Sequence, residues 1–479
     1  MAASVETRCR SHPPPAMNNN QRSHRIHHPT VWGDFFLGFR PFTSTQCLSM
    51  KNKAEVMKEE LRATIVDSGS ADLSRKLELV DTLQQLGLDY HYGKEINDLL
   101  CGIHDTSDED RDLHTAALRF YSLRKQGFNV SPELCTIHDN AADVFLKFID
   151  AEGKITCNDT RSLLGMYNAA HVRTHGEETL SSVIAYTKDH LLRVVEHQTI
   201  SPPILLEEVR RTLETPLFRR PRRVEARHFI SVYERMSTRN EAILELAKLD
   251  FSILQALYCE WWKELQLQDH LSFARDRMVE MHFWMLGVLF EPQYSYGRIA
   301  LTKFFTFISI FDNIYDSYST LEESRLLTMA MERWDEQAAE HLPGYMKFFY
   351  SKVLATMKVV EKDLDSQGNK HADYIKKLRE QEQFCGERSV MSTVEACMEE
   401  NNYTAKEDAY KKLRELIEES WMDISEELLK PATMRPAVPL LEAVVNSTRM
   451  LDFLYKDQGA YTDPRALKVV VDSIYVNPI

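Results

Sequence analysis

The chain has 479 residues, a formal net charge of −14, and only 16 glycines and 17 prolines. Glycine at about half its usual 7% share leaves few tight turns to build, so long helices and an all-α fold are expected. The acidic balance excludes a nucleic-acid partner, which needs a basic face. No apolar run reaches the roughly 20 residues of a membrane span, so no membrane insertion is expected.

The length allows about three domains at roughly 150 residues each. The eight cysteines (Cys9, Cys47, Cys101, Cys135, Cys157, Cys259, Cys385 and Cys397) are scattered without Cys-x-x-Cys pairs. That pattern fits reduced thiols in an intracellular protein and offers no zinc site.

In chain order, the arm 1–21 is polar and irregular, with Pro13 to Pro15 and Asn18 to Asn20, and lacks the apolar core of a secretory signal. It carries Arg8 and Arg10 against one acid, Glu6, but is short and serine-poor for a transit peptide. The cytoplasm is therefore expected over the plastid. The passage from Arg22 to Trp32 follows; its adjacent His27 and His28, with Pro29 behind them, read as surface histidines.

From about Met50 to Phe229 the text is helical, with no strand pattern of useful length. Leu113, Ala116, Ala117 and Phe120 recur at helical spacing within 111–128. Ser107 with Asp110 predicts a capping box before this helix, and Gly127 predicts its end. Similar helices are expected over 141–148, 160–169 and 177–190. The sequons at Asn129 and Asn446 read as chance. The charged, proline-broken passage Leu217 to Arg227 reads as an exposed connection or domain boundary with solvated arginines.

An apolar helix is expected over 249–265, carrying Trp261 and Trp262. Arg275 and Arg277 then lead into an apolar, aromatic helix with Trp284. Arginines at the mouth of such a helix suit phosphate, and a local ion pair with Asp276 or Glu280 is the plainer alternative. Phe290-Glu-Pro-Gln breaks this helix, and a second apolar helix from Ile299 ends in Phe311-Asp312-Asn-Ile-Tyr-Asp316. Four residues apart on a helix, Asp312 and Asp316 share one face, with Phe305, Ile308 and Ser309 expected as a largely buried stripe behind them. Carboxylates closing a buried stripe call for a positive partner. A hard divalent cation completed by a diphosphate is one, and two solvated aspartates are the bland alternative. Two further helices should reach Leu378, followed by helices over 405–429 and 439–455, a turn over 456–464, and a last helix.

These residues resemble the plant terpene synthases, most closely the angiosperm sesquiterpene type, over nearly the whole chain from Arg22 onward. The likeness rests on the Arg22 to Trp32-Gly-Asp element, Asp112-Leu-His-Thr-Ala-Ala-Leu-Arg-Phe, Arg223-Val-Glu-Ala-Arg and Lys248-Leu-Asp-Phe. It continues through Arg275-Asp-Arg277, Phe290-Glu-Pro-Gln-Tyr, the Asp312 cluster, Asp423-Ile-Ser-Glu-Glu-Leu-Leu-Lys-Pro and Tyr461-Thr-Asp-Pro. The resemblance implies a helical N-terminal domain over 22–229 and a class I helical bundle over 230–479. It implies a monomer that ionises a prenyl diphosphate, farnesyl diphosphate for this type, and makes a sesquiterpene. Asp312 and Asp316 would hold Mg²⁺, with Mn²⁺ as an alternative, bridging to the diphosphate. Arg275 and Arg277 would grip that leaving group, Trp284 would face the cation, and Arg22 and Trp32 would belong to a lid that excludes water.

Four departures stand against the family pattern. Position 313 is Asn where relatives have Asp, which removes a charge and keeps an oxygen. Ser23 follows Arg22 in place of a second arginine. Gly459-Ala460-Tyr461-Thr462 lacks the aspartate of the usual Asp-Gly-Tyr-Thr, with Asp457 nearby as a stand-in. Most seriously, the second metal cluster should fall in Lys376 to Phe384, which holds two lysines and no aspartate. Helices before about residue 382 are missing, and Glu382 or Glu387 are the candidate replacements. A smaller gap precedes Trp261. A lost helix of about 20 residues removes roughly 30 Å of cavity wall. Two other readings therefore stay open: a catalytically impaired terpene-synthase-like protein from a truncated transcript or gene model, and a non-catalytic helical interaction protein.

Overall fold

The computed structural model describes residues 30–105, 112–130, 159–197, 202–259, 271, 273–366, 393–431, 433–434, 438–456 and 464–479. Among the described residues every regular element is helical. In order these are α1 (Phe35–Gly38), α2 (Ser44–Asp67), α3 (Leu73–Gln85), α4 (Gly93–Asp105), α5 (Leu113–Lys125), α6 (Thr160–Ala170), α7 (Glu178–His197), α8 (Pro203–Glu214) and α9 (Arg222–Glu234). Then come α10 (Glu241–Tyr258), α11 (Met278–Val288), α12 (Ser295–Asn313), α13 (Leu321–Arg333), α14 (Gly344–Ser366), α15 (Thr393–Asn401), α16 (Lys406–Leu429), α17 (Val438–Tyr455) and α18 (Lys468–Tyr475). Among the described residues, no helix is long and apolar enough to cross a membrane.

Side-chain caps fix many of these starts. Asp112 accepts the Thr115 N–H at 2.9 Å and opens α5, Asp159 does the same for Ser162 on α6, and Asn240 caps α10. The expected Ser107–Asp110 box lies outside the described residues, and Asp112 is the cap that the structure uses. Gly127 closes α5 with φ +91°, as its position predicts. The helix expected over 249–265 instead occupies Glu241–Tyr258, set by the Asn240 cap, with Trp261 and Trp262 outside the described residues.

The chain divides into two compact units. The larger takes 31–262, 279–301 and 389–479, and its core joins Leu113, Phe120, Leu163, Met166, Leu180 and Leu191 to Phe218, Trp421 and Val445. Side chains fully removed from water in this way contribute about 1.5–3 kcal/mol each. Gly287 on α11 lies against Met450 of α17, where an added Cβ would overlap Sδ and Cγ and come within 2.9 Å of Cε. Met450 is fully buried, so its side chain can yield only by displacing its own neighbours. Gly287→Ala should therefore cost about 1–3 kcal/mol by overpacking, read as a lower urea midpoint. Asn446, also buried, donates to Val288 O at 3.2 Å, so its sequon is no surface acceptor.

The passage Leu217 to Arg227 departs from the solvated reading. Arg219, Arg220 and Arg223 are buried. Arg219 grips Glu418 of α16 through two bonds of 2.5 and 2.8 Å, and Arg173 adds a third at 3.1 Å. Arg220 reaches Glu208 at 2.8 Å and Glu225 at 3.2 Å, and Arg223 lies 4.4 Å over the Phe251 ring and 3.8 Å from Asp250. Acids both near in sequence, Glu208 and Glu225, and remote, Glu418 and Asp250, compensate the charges. Burial opposes the Glu418 carboxylate, yet Arg219 brings it down to about 2. A depressed carboxylate stabilises the fold above its unfolded value near 4.3 and loses that contribution as pH falls towards 2. Wild-type Tm should therefore fall more steeply from about pH 5 to pH 2 than that of Glu418→Gln.

The smaller unit takes 263–278 and 302–388 with the first thirty residues. Its described part is the 273–278 stretch, the C-terminal half of α12, α13 and α14, with Phe307, Ile310, Ile314, Leu327, Met346 and Tyr350 buried. Phe307 and Phe311 both meet Phe349 of α14, at ring separations of 6.1 and 6.2 Å.

Candidate active site

The last turn of α12 does not continue as an α-helix. It passes into a π turn over Ile314–Tyr318, closed by the Ser319 N–H donating to Ile314 O at 2.8 Å, five residues back. Asp312 sits at the end of the α segment and Asp316 inside the π turn. Turns of this kind are rare and recur at functional sites. Three contacts hold it. Tyr315 OH bonds Thr328 Oγ1 at 2.7 Å, Ser319 Oγ bonds Ser324 Oγ at 2.6 Å, and Thr320 with Glu323 forms a capping box that starts α13.

Both aspartates are exposed. Although the residue is exposed, partial shielding of its carboxyl from water, and then the neighbouring Asp316 charge, push Asp312 above its ordinary value. The two carboxylates are thus close enough to repel, and a cation between them would relieve that repulsion. Among the described residues no third His, Cys, Asp or Glu ligand atom joins them. The buried stripe expected behind them is only partly present: Ser309 is buried and Phe305 half-buried, but Ile308 is 40% exposed. The buried face of α12 runs instead through Thr302, Thr306, Phe307, Ser309, Ile310 and Asn313. Asn313 therefore turns into the core, where its amide donates to Ser309 O. An aspartate there would bury a charge and lose that donor, which gives the Asn at 313 a structural reason.

The arginine segment meets this turn through aromatic packing. Phe273 stacks on Tyr318 with centroids 3.8 Å apart and planes 4° apart, and the Tyr345 ring meets both edge-on at 5.4 and 5.0 Å. Tyr345 OH in turn donates to Glu323 at 3.1 Å. Phe273 is two residues before Arg275, and Tyr318 is two after Asp316. Two residues of chain span at most about 7 Å, so the stack holds Arg275 and Asp316 at the same end of this unit. Arg275 is half-buried; Arg277 is buried, its guanidinium donating to Asp276 O at 3.3 Å.

Arg275, Arg277, Asp312 and Asp316 thus fall in one compact unit, while Trp32 and Trp284 belong to the other. Trp284 is half-buried on α11 with its ring 6.3 Å from that of Tyr455. Trp32 is buried near Phe36, with the Lys468 ammonium 5.0 Å over its ring. Arg22, His27, His28, Lys376 to Phe384, Glu382, Glu387, Asp457 and Gly459 to Thr462 lie outside the described residues. Sequence reasoning missed Phe273, Tyr318 and Tyr345. The Thr320-x-x-Glu323 signature was the available sign that the Asp316 turn ends where it does.

Chemically, the aspartate pair offers hard oxygen ligands with their charges already in conflict, which suits a divalent cation. The nearby guanidiniums suit phosphate oxygens.

Two family models match the chain: "Terpene synthase, N-terminal domain" over residues 31–213 and "Terpene synthase family, metal binding domain" over 263–385. The (E)-beta-caryophyllene synthase of Zea mays is 42% identical over 97% of this chain and 98% of its own length. The zingiberene synthase of Sorghum bicolor is 37% identical over 94% and 96%. The maize alignment spans 552 positions against 479 residues here, so at least 73 positions (552 − 479) have no counterpart in this chain. Isoprene synthase from grey poplar, in complex with three Mg²⁺ ions and dimethylallyl-S-thiolodiphosphate, matches with a TM-score of 0.76 at 27% identity, covering 93% of this chain and 98% of that one. Limonene synthase with 2-fluorolinalyl diphosphate matches in fold, with a TM-score of 0.82 at 23% identity over 96% and 100%. On these matches, and on the ordered motifs that carry them, the chain belongs to the terpene synthase family.

Proposed function

We propose that this chain is a sesquiterpene synthase that converts farnesyl diphosphate to a sesquiterpene and diphosphate. Asp312 and Asp316 would hold Mg²⁺, with Mn²⁺ sharing the same oxygen preference. The bound metal supplies charge neutralisation at the leaving diphosphate. The allylic C–O bond then breaks with its electron pair leaving on the diphosphate, and the cation ends by losing a proton. Arg275 and Arg277 keep the departed diphosphate paired, Trp284 offers a π-face to the cation, and the segment from Arg22 to Trp32 excludes water.

The observation that carries this reading is the stack of Phe273 on Tyr318, which puts the arginine segment beside the π turn that bears Asp316. The sesquiterpene products in the names of the maize and sorghum relatives support farnesyl diphosphate as substrate. Incubation of folded protein with farnesyl diphosphate and Mg²⁺, followed by analysis of the volatile products, tests it. A sesquiterpene is expected, and its absence would overturn the reading.

The positions that relatives have and this chain lacks favour a second reading, a terpene-synthase-like protein with little turnover. Metal-dependent binding of a farnesyl thiolodiphosphate without product would support that one.

A further inference from the structure

A second cluster of ligating groups lies in the larger unit, apart from the diphosphate chemistry. His175, in the turn between α6 and α7, meets Asp423 and Glu426 of α16, and one ligand atom from each lies within 4.8 Å of the others. Three residues apart on one helix, Asp423 and Glu426 share a face. His175 Nε2 is 2.9 Å from Asp423 Oδ1, and its backbone N–H donates to Glu426 Oε1 at 3.1 Å. A carboxylate has two oxygens, so Glu426 can keep that bond and still ligate.

The turn is pinned on both sides of the histidine. Arg173 reaches Glu418 of α16 at 3.1 Å, and the Thr174 N–H donates to the Glu177 carboxylate at 2.8 Å, which Arg124 also grips at 2.6 Å. His175 is therefore presented to α16 by a braced loop, with little ordering left for a cation to impose. His175 and Asp423 are exposed, so water can complete the shell.

We infer that His175, Asp423 and Glu426 form a site for a divalent transition ion of the zinc and cobalt class, which clamps α16 to the α6–α7 turn. One imidazole nitrogen with two carboxylates selects such an ion over Mg²⁺, which prefers oxygen alone. Ligand bonds of about 2.0–2.2 Å would replace the direct His175–Asp423 hydrogen bond and draw the three ligand atoms closer together. The plainer alternative is a surface ion pair of His175 with Asp423, beside the Glu426 hydrogen bond to the His175 backbone N–H, and an exposed pair of that kind contributes little.

The test uses the full chain carrying Asp312→Asn and Asp316→Asn, which removes the first candidate site from the titration. Co²⁺ is added, its visible ligand-field bands are followed, and the effect of Zn²⁺ on Tm is measured in parallel. One equivalent of Co²⁺ and a Zn²⁺-dependent rise in Tm are expected. Adding His175→Gln or Glu426→Gln should each weaken Co²⁺ binding by at least about 10-fold and remove the Zn²⁺ effect. All three groups are at or near the surface, and unchanged far-UV helicity checks that each variant folds. No Co²⁺ bound, or an affinity unchanged in either variant, would overturn the assignment.

Discussion

Replacing Asp312 by alanine should lower the rate of diphosphate release from farnesyl diphosphate by about 10²–10⁴-fold. That figure converts a few kcal/mol of lost charge neutralisation at about 1.4 kcal/mol per decade. Asp312 and Asp316 repel each other across the π turn, so a cation held between them is favoured by both. With one carboxylate gone, the remaining one provides a single anchor, and the diphosphate must supply most of the shell. Asp312→Asn keeps an oxygen and should fall between the wild type and the alanine variant. Steady-state diphosphate release at saturating Mg²⁺ checks the series. Equal rates in wild type and Asp312→Ala would mean that this turn is not the anchor.

Glu225→Ala should destabilise the larger unit by about 3 kcal/mol, the low end of the range for orphaning a buried charge. Glu225 is buried between Arg220 and Arg211, accepting from the latter at 2.9 Å. Burial disfavours its charge, but the two guanidiniums outweigh that and hold its carboxyl below the usual range. Arg220 keeps Glu208 and Thr212 Oγ1 when Glu225 is lost, which is why the low end applies. Glu225→Gln keeps the volume and an acceptor and should lose less. The urea midpoint is the readout, and an unchanged midpoint for Glu225→Ala would mean that the arginines are solvated, as the local sequence reads.

That passage shows where sequence reading stops. Five arginines around proline-broken turns look solvated because they outnumber the one acid among them, Glu225, and the Glu418 partner of Arg219 lies 199 residues further along. Periodicity reports helices and their faces but carries no information about such remote pairs. Local features fared better. The start of the 160–170 helix, the end of α5 at Gly127, the end of α16 just before Pro431 and the break near Pro292 follow from a cap, glycine and proline.

The candidate site was legible in part. Asp312 and Asp316 were found by spacing, and Arg275 and Arg277 by their place ahead of an aromatic helix. The π turn was not found, because one extra residue in a turn leaves the apolar pattern nearly unchanged. Nor was the inward turn of Asn313, which depends on which side of α12 faces α14. Phe273 and Tyr318 are ordinary aromatics in sequence, and their stacking exists only once α12 and the arginine segment are folded together.

Calorimetric titration of the full chain with farnesyl thiolodiphosphate, with and without Mg²⁺, tests the central claim most directly. We predict binding that requires Mg²⁺ and is lost in the Asp312→Ala, Asp316→Ala double variant. Binding of equal strength without Mg²⁺, or undiminished binding by the double variant, would contradict it.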